Sequence, residues 1–360
     1  MRLSLAKRSI IEGGRFVADS IRQEEILLSQ DEVFGLAYKF LTGHGLGHAQ
    51  AKALAGVLCK AQRDNCRSHG LQRLPGTLDT MAHPVFNREA DPCPIEITPA
   101  VIRIDASYGF SILAVERALP LLINNAKQLG IALLAVNNGF HSTALWPVVE
   151  ELAINGLAAL SMNPTHDWVA PAGGKAGALG TNPLAFAWPR AGHPPYVFDF
   201  ATSAAARADI ALYRQEGRAI PSYWGLDSQG QPSTDPVAVL AGAMLPFGGH
   251  KGSALATMIE LLAGPFIGDR TSNQSAAFDQ GAGAAPCHGE LIIAFNPTLM
   301  EVQSSEDNVE DLFGRIVGQG ARLPGDRRYE ARAVSAENGI RVPKVLYAKI
   351  REMTPSIGEG

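Results

Sequence analysis

The chain has no stretch of about 18 apolar residues free of charge, although 46% of its residues are hydrophobic. A helical membrane span is therefore not expected. It has no basic excess either: 31 Lys and Arg stand against 35 Asp and Glu, for a net charge of -4. That balance argues against a nucleic-acid partner. Cysteine is scarce. Cys59, Cys66, Cys93 and Cys287 fit neither a zinc-ligand spacing nor a small disulfide scaffold, so reduced thiols, a cytoplasmic location and no bound metal are expected. The first twenty residues lack the unbroken apolar core of a secretory signal. Arg2, Lys7, Arg8 and Arg15 give them a targeting flavour that Glu12 and Asp19 oppose. They read as a short extension or a surface strand. No internal repeat is present.

Several catalytic fingerprints are missing as well. G-x-G-x-x-G after a strand does not occur, and "GGKAGALG" (173–180) spaces its glycines differently. "GGHKG" (248–252) has no Ser or Thr after its lysine, so it is not a P-loop. G-x-S-x-G is absent, which weakens a hydrolase reading. A doubly wound Rossmann sheet is thus excluded, but nucleotide binding by another design is not.

What is there is an orderly succession of elements. Ser29 followed by Asp31 and Glu32 starts a helix, and a second is expected from Ala49 to Arg63. "IEITPAVIRID" reads as a strand pair and "FSILAVERALPLLINNAKQLG" as a helix stopped by Gly130. "IALLAVNNG", "AALSMNP", "NPLAFAWP", "PYVFDFAT" and "GELIIAFNP" read as strands. "WPVVEELAINGL" and residues 304–319 read as helices, and "GHKGSALATMIELLAGPFIG" as a helix buried on most sides. Residues 269–289, rich in Gly, Ala, Ser and Gln, read as a loose surface tract. Helices, then mixed α/β, then helices make an α/β domain inserted in a largely helical one built from both chain ends.

Candidate chemistry clusters in a few turns. "DNCRSHGLQRLPG" (64–76) holds Ser68, His69 and Arg73: a hydroxyl, a proton carrier near neutral pH and a carboxylate clamp, or else a solvated loop after a helix. "FHSTALWP" puts His141 after a strand, where ligands meet α/β sheets, or makes a helix cap. "GTNPLA" and "FDFATSAAARAD" offer Thr181, Asp199, Thr202 and Asp209, or plain turns. "GGHKG" entering a helix can hold an anion with Lys251, or merely connect. "PGDRRYEAR" gathers Arg327, Arg328 and Arg332 around Tyr329, for a phosphate or as a charged surface turn.

In this order, "SHGLQRLP", "HSTALWP", "AALSMNPTHDWVAPAGGKAGALGTNPLAFAWP", "FDFATSAAARADI", "SQGQPSTDP", "LPFGGHKGSALATMIELLAG" and "DRRYEAR" resemble the type-2 malate/L-lactate dehydrogenase superfamily of nicotinamide-dependent oxidoreductases. The resemblance spans roughly residues 29 to 350 and implies a non-Rossmann α/β fold and a homodimer. It makes Ser68 and His69 a catalytic pair, and Arg73 and Thr181 substrate contacts. His141, Ser142, Thr143, Ala144 and Leu145 become cofactor contacts, with Asp199, Phe200, Ala201, His250 and Lys251. So does the late segment Asp326, Arg327, Arg328, Tyr329, Glu330, Ala331 and Arg332, where Arg327 and Arg328 favour NADP over NAD.

The resemblance also indicates a branch. Dehydrogenases acting on malate or lactate usually carry Arg-Gly-Lys where this chain has Arg207, Ala208 and Asp209. The cyclic-imine reductases carry the aspartate, which completes a relay with the Ser-His pair, while Arg207 and Ala208 line the substrate. A protonated imine is cationic and tolerates a carboxylate, whereas a ketone gaining alkoxide charge does not. NADPH-dependent reduction of Δ1-piperideine-2-carboxylate and Δ1-pyrroline-2-carboxylate is the expected activity. A malate-, lactate- or ureidoglycolate-type dehydrogenase is the alternative, and a non-catalytic nucleotide-binding module a more distant one. The implied organisation is an extension (1–28), a helical substrate and dimerisation domain (29–115 and 304–360) and an NADP-binding α/β domain (116–303). The first 28 residues have no counterpart in the family, and Ser142 stands where many relatives carry an aromatic.

Overall fold

The computed structural model describes residues 24–300 and 305–355; the first twenty residues, read above as an extension, lie outside them. In chain order come β1 (Glu25–Leu28), α1 (Gln30–Gly43), α2 (His48–Arg63) and α3 (Leu74–Met81). Then follow β2 (Ile95–Thr98), β3 (Val101–Asp105), α4 (Ser111–Leu129), β4 (Ile131–Phe140), α5 (Trp146–Ile154), β5 (Ala158–Met162), β6 (Leu184–Trp188) and β7 (Tyr196–Phe200). An excursion of α6 (Arg207–Gln215), β8 (Gly225–Leu226), α7 (Pro236–Ala241) and β9 (Ala243–Met244) leads to α8 (His250–Ala263), α9 (Ser272–Asp279) and β10 (Cys287–Phe295). The described chain closes with α10 (Ser305–Val317), α11 (Asp326–Asn338), β11 (Ile340–Pro343) and α12 (Lys344–Met353).

Local chemistry accounts for the boundaries. Ser29 Oγ accepts from the Glu32 amide at 3.1 Å, and the Glu32 carboxylate accepts from the Ser29 amide at 2.7 Å, closing the expected capping box. Gly130 ends α4 with φ of 88°, a left-handed conformation that glycine adopts without a Cβ penalty. β4, apolar along most of its length, is buried on both faces, as a central strand should be.

The main sheet has seven strands in the order β2-β3-β4-β10-β5-β6-β7. Among them only β3 and β4 run parallel, joined over the sheet by α4; the other neighbours are antiparallel. That pattern separates this fold from a doubly wound one, in which crossover helices make neighbours parallel. β1 and β11 pair antiparallel, tying the two helical ends of the chain together. One hydrophobic core runs from Val33 and Leu54 through Val136 to Ala187 and Ile350, so helices and sheet share it. The expected division at 115/116 falls inside α4, and β2 and β3 already belong to the sheet.

Two expectations need correction. α8 buries Ala256, Ile259 and Ala263, but Leu261 is 58% exposed and Phe266 just beyond it 61% exposed. Its uniform apolarity had implied burial all round. The tract at 269–289 is not loose throughout. Thr271 and Gln274 form a capping box that starts α9, and Ser272 and Ser275 are fully buried. Ser272 there faces hydrogen-bonding partners, not solvent. Among the described residues no helix is long and apolar enough to cross a membrane.

Candidate active site

The turn that carries Ser68 and His69 begins where α2 stops. Asn65 takes a left-handed φ of 58°, and two short 3-10 turns, Arg67–His69 and Leu71–Arg73, lead into α3. The buried Gln62 braces this turn. Its amide oxygen accepts from the Leu71 amide at 3.2 Å and its amide nitrogen donates to the Arg341 carbonyl at 2.8 Å. A Cβ at Gly70 would collide with the Gln62 side chain, so only glycine fits there.

Within the turn, Ser68 Oγ lies 3.2 Å from His69 Nδ1. Arg73 Nε donates to the Ser68 carbonyl at 2.8 Å. Its Nη atoms make no hydrogen bond, and among the described residues it has no acidic partner, so the guanidinium fork is available to a carboxylate. Burial, then the positive fields of Arg73 and His141, push the His69 imidazole down to about 3. The ring is therefore neutral at pH 7, with Nε2 unbonded.

His141 occupies the neighbouring wall, but its side chain is committed. Nε2 donates to the Thr143 carbonyl at 2.9 Å, while Nδ1 is 2.9 Å from Ser111 Oγ and 3.4 Å from the buried Glu290. The residue thus shapes the loop 141–145. Asp199 Oδ2 accepts from the Leu145 and Trp146 amides at 2.9 and 3.0 Å, capping α5 and leaving Oδ1 unbonded. Burial raises the Asp199 carboxyl, opposed by those two amides, Arg328 and His141. The Cys66 thiol, pushed up to about 11 by burial, also feels Arg328, Asp199 and Arg327. The Ser68–His69 turn, the 141–145 loop, Asp199 and the start of α11 therefore converge.

The α11 arginines divide in role. Arg332 is not free. It reaches Asp64 at 3.0 and 2.6 Å and Glu150 at 2.9 and 3.0 Å, and its guanidinium lies over Trp146 and Tyr329. Arg328 donates to the Val197 carbonyl at 2.9 Å and covers Trp146 at 5.1 Å. Tyr329 donates to the Pro195 carbonyl at 2.9 Å. Asp326 accepts from the Leu323 amide at 2.9 Å. Arg327 and Glu330 are exposed, and Arg327 has no acidic partner among the described residues. Of the basic cluster, Arg327 presents an uncommitted guanidinium, and Arg328 keeps a buried, unpartnered Nε.

A second group forms around the β5–β6 connection. The Thr181 amide donates to Thr165 Oγ1 at 2.9 Å, and its carbonyl accepts from the Thr202 amide at 2.8 Å. The buried Glu260 accepts from the Gly180 and Ser272 amides and from Asn182 Nδ2, at 3.2, 2.8 and 2.8 Å. Asn182 itself takes a left-handed φ of 34°. These three residues build the Thr181 turn, and reading the sequence passed over all of them. A single acid inside the apolar helix α8 was the signal available. Arg207 stacks over Trp168 at 4.5 Å and donates to the Leu240 carbonyl at 3.2 Å.

Ala208 and Asp209 are exposed in the first turn of α6. Burial of its carboxyl raises Asp209, against the Ala206 amide. No hydrogen bond or ion pair joins Asp209 to Ser68 or His69, so a single chain does not assemble the expected relay. His250 and Lys251 are exposed at the uncapped start of α8, after Gly248 and Gly249 with φ of 56° and 59°. Beside them a mostly apolar cavity of about 430 Å³ is lined by Ala204, Tyr223, Pro246, Phe247, Gly248 and Gly249. Phe200 and Ala201 connect β7 to this region, Phe200 packing edge-on against Phe247.

A mixed seven-stranded sheet outside the Rossmann class, with the Ser68–His69 pair and Arg73 near the loop that follows β4, is the frame of the candidate site. The malate/L-lactate dehydrogenase family profile matches residues 28–351, and the chain belongs to that family. Membership implies a nicotinamide cofactor. The chain is 51% identical over 329 residues to Delta(1)-pyrroline-2-carboxylate reductase 1 of Burkholderia ambifaria, covering 91% of this chain and 97% of that one. It is 51% identical over 331 residues to Delta(1)-pyrroline-2-carboxylate reductase of Pseudomonas fluorescens, covering 91% and 98%. The solved structure of delta1-piperideine-2-carboxylate reductase from Pseudomonas syringae superposes with a TM-score of 0.88 at 39% identity, covering 91% of this chain and 99% of that one.

Proposed function

We propose that this chain is an NADPH-dependent reductase of cyclic imino acids, converting Δ1-piperideine-2-carboxylate to L-pipecolate and Δ1-pyrroline-2-carboxylate to L-proline. The observation that carries this reading is the juxtaposition of an unpaired guanidinium fork, Arg73, with the neutral Ser68–His69 pair. The half-identity to named pyrroline-2-carboxylate reductases supports the substrate class.

The residues present fit a nicotinamide dinucleotide. Ser142 Oγ is buried without a partner, the start of α8 is uncapped beside exposed Lys251, and Arg327 is uncommitted. The loop 141–145 and Asp199 would flank the nicotinamide half, Lys251 the pyrophosphate, and Arg327 a 2′-phosphate, which favours NADP. When bound, the cofactor supplies the hydride that C2 of the ring gains.

The chain's own residues do the rest. Arg73 binds the substrate carboxylate and Thr181 supports it. His69 Nε2 relays to the ring nitrogen the proton that turns the neutral imine into the cationic one, after which hydride at C2 alone gives the amine, with Ser68 orienting the imidazole. Burial is the main cause that keeps His69 neutral, and a carboxylate docked on Arg73 offsets only the smaller contribution of the Arg73 field. Asp209 tolerates the cationic imine and reaches the pair only in an assembly or closure beyond the single chain. Exposed Leu261 and Phe266 support a homodimer. Four unpaired cysteines accord with the cytoplasm.

Steady-state assays with both imines, pyruvate and oxaloacetate, using NADPH and NADH, test the reading. Faster turnover on a 2-keto acid than on either imine overturns it. His69→Ala should lower kcat about 10²- to 10⁴-fold with cofactor affinity intact. Asp209→Lys should lose imine reduction more than cofactor binding.

A further inference from the structure

We propose that His166 is a substrate-binding, specificity-determining residue that forms, with Trp168, the pocket wall beside Thr181 and Arg207. This rests on the reading above, which puts the ring acid at Thr181 and Arg207.

The segment after β5 is sutured into that corner. Thr165 Oγ1 accepts from the Thr181 amide at 2.9 Å and lies 3.3 Å from Thr181 Oγ1, while the Thr165 amide donates to Ser272 Oγ at 3.1 Å. Asn273 Nδ2 donates to Asp167 at 3.1 Å. The next residue, His166, is only 6% exposed. Its ring meets the Trp168 indole edge-on at 5.1 Å, and the same indole carries the Arg207 guanidinium at 4.5 Å. An imidazole, an indole and a guanidinium thus share one wall.

That wall has unmet hydrogen-bonding capacity. Neither ring nitrogen of His166 has a partner among the described residues, and Nε2 is shut off from solvent. Ser275 Oγ and Asn163 Oδ1, on the two segments that Thr165 and Asn273 hold together, are also buried and unpartnered. Nearby Asn182, Glu260 and Ser272 are all bonded, so around the Thr181 turn the unmet capacity falls on His166, Ser275 and Asn163. Buried polar atoms in native proteins are normally satisfied, and one left open is where a ligand atom or a resident water belongs. Burial lowers the His166 ring, Asp279 and Asp167 act to raise it, and Arg207 again lowers it. A neutral imidazole can donate at one nitrogen and accept at the other. Against a flat, apolar-edged ring bearing a nitrogen and a carboxylate, such a wall offers area from Trp168 and one directional bond from His166. Its distance across the pocket then discriminates a five- from a six-membered ring.

The test compares His166→Phe, which keeps a flat ring without nitrogens, with His166→Gln, which restores a donor and an acceptor. Affinity for pyrrole-2-carboxylate, a flat ring acid that cannot be reduced, is measured by calorimetry in the presence of NADP. KM for both imines, NADPH affinity, the pH profile and Tm accompany it. His166→Phe is expected to weaken pyrrole-2-carboxylate binding and raise the imine KM about five- to tenfold. The five-to-six-membered preference should change, with NADPH affinity and the pH profile unmoved and partial recovery in His166→Gln. Unchanged ring-acid affinity, a change in Tm alone as a resident water would give, or a loss falling on NADPH overturns the proposal. Wild-type protein inert toward both imines sinks the reductase reading instead, while the pyrrole-2-carboxylate comparison still decides the role of His166.

Discussion

Arg332→Ala separates a structural clamp from a cofactor ligand. The Asp64 side chain is fully buried and receives Arg63 at 2.7 Å as well as Arg332 at 2.6 Å. Glu150, 7% exposed in its side chain, receives Arg332 at 2.9 Å. Burial works against the charge on Arg332, yet the two carboxylates more than offset it and hold the guanidinium charged beyond its ordinary range. Removing one partner of a buried, hydrogen-bonded ion pair costs about 3–5 kcal/mol, because the remaining charge stays desolvated. Asp64 keeps Arg63, so the main loss falls on Glu150 and the lower end of that range applies. With an unfolding entropy of roughly 0.7 kcal/mol/K for a chain of about this size, Tm should fall by about 4 °C. Differential scanning calorimetry measures this, with NADPH kinetics on the same sample.

Arg327→Ala should do the reverse. The side chain is exposed and has no acidic partner among the described residues, so Tm should stay within about 1 °C. Loss of a charge-assisted phosphate contact of about 1.5–3 kcal/mol should raise KM for NADPH about 10- to 150-fold and leave KM for NADH alone. If Arg332→Ala leaves Tm unchanged and weakens NADPH, the division of roles within α11 is wrong.

Gly180→Ala places a methyl group against Asn182 Oδ1, Thr165 Oγ1 and Ser272 Oγ, so the Thr181 turn must move. A loss of about 1–3 kcal/mol in urea unfolding and a raised substrate KM are expected, and an unperturbed KM refutes the placement of Thr181. Acid should destabilise the fold. His69 is depressed to about 3 and His288, fully inside the sheet, is also held well below its usual value by burial. Below pH about 6.5 the unfolded chain binds protons at these rings that the folded chain refuses. Their contribution is therefore complete above pH 6.5 and lost as pH falls toward 3. His288→Gln should flatten the dependence of Tm on pH in that window, and an equally steep dependence rules out the assignment. Glu260→Gln keeps a single acceptor oxygen, enough for the Gly180 and Asn182 donors or for the Ser272 amide but not for both sides, and sets an NH2 against the remaining donor; about 1–3 kcal/mol of stability should go, read by the same urea titration.

The fold was legible where the information is local. Ser29 and Glu32 lie three apart and close their capping box within one turn, and Gly130 ends α4 by its own backbone freedom. The pairing of Ser68 with His69 and the tether of Arg73 span six positions of one turn, so reading the sequence alone could name them. The arginines of α11 behaved differently. Three side chains of one type in one short segment looked equivalent, yet their roles depend on Asp64, Glu150 and Val197, which are 131 to 268 positions away. Nothing in "DRRYEAR" tells which arginine is taken, because the desolvated carboxylates that take it lie just after α2 and on α5.

Those carboxylates did leave a trace. Glu150 and Glu260 each interrupt an apolar helix, and Glu290 interrupts an apolar strand. A charge there has a large desolvation cost unless a partner meets it. Each has one: Arg332 for Glu150, the Gly180, Asn182 and Ser272 donors for Glu260, and Ser161 for one oxygen of Glu290, whose other oxygen lies 3.4 Å from His141 Nδ1 without a hydrogen bond. In every case the partner belongs to a segment at the candidate site or braces one. In this chain an acid embedded in an apolar run locates the scaffolding of the site better than a cluster of exposed polar residues does. The cluster can be solvated anywhere, whereas the embedded acid requires a donor brought from elsewhere in the fold. Asp209 is the complementary case. It lies in a polar helix start, where the Ala206 amide opposes the upward push of burial on its carboxyl, and it has no ion-pair partner among the described residues, so the proposed relay depends on whatever surface meets α6.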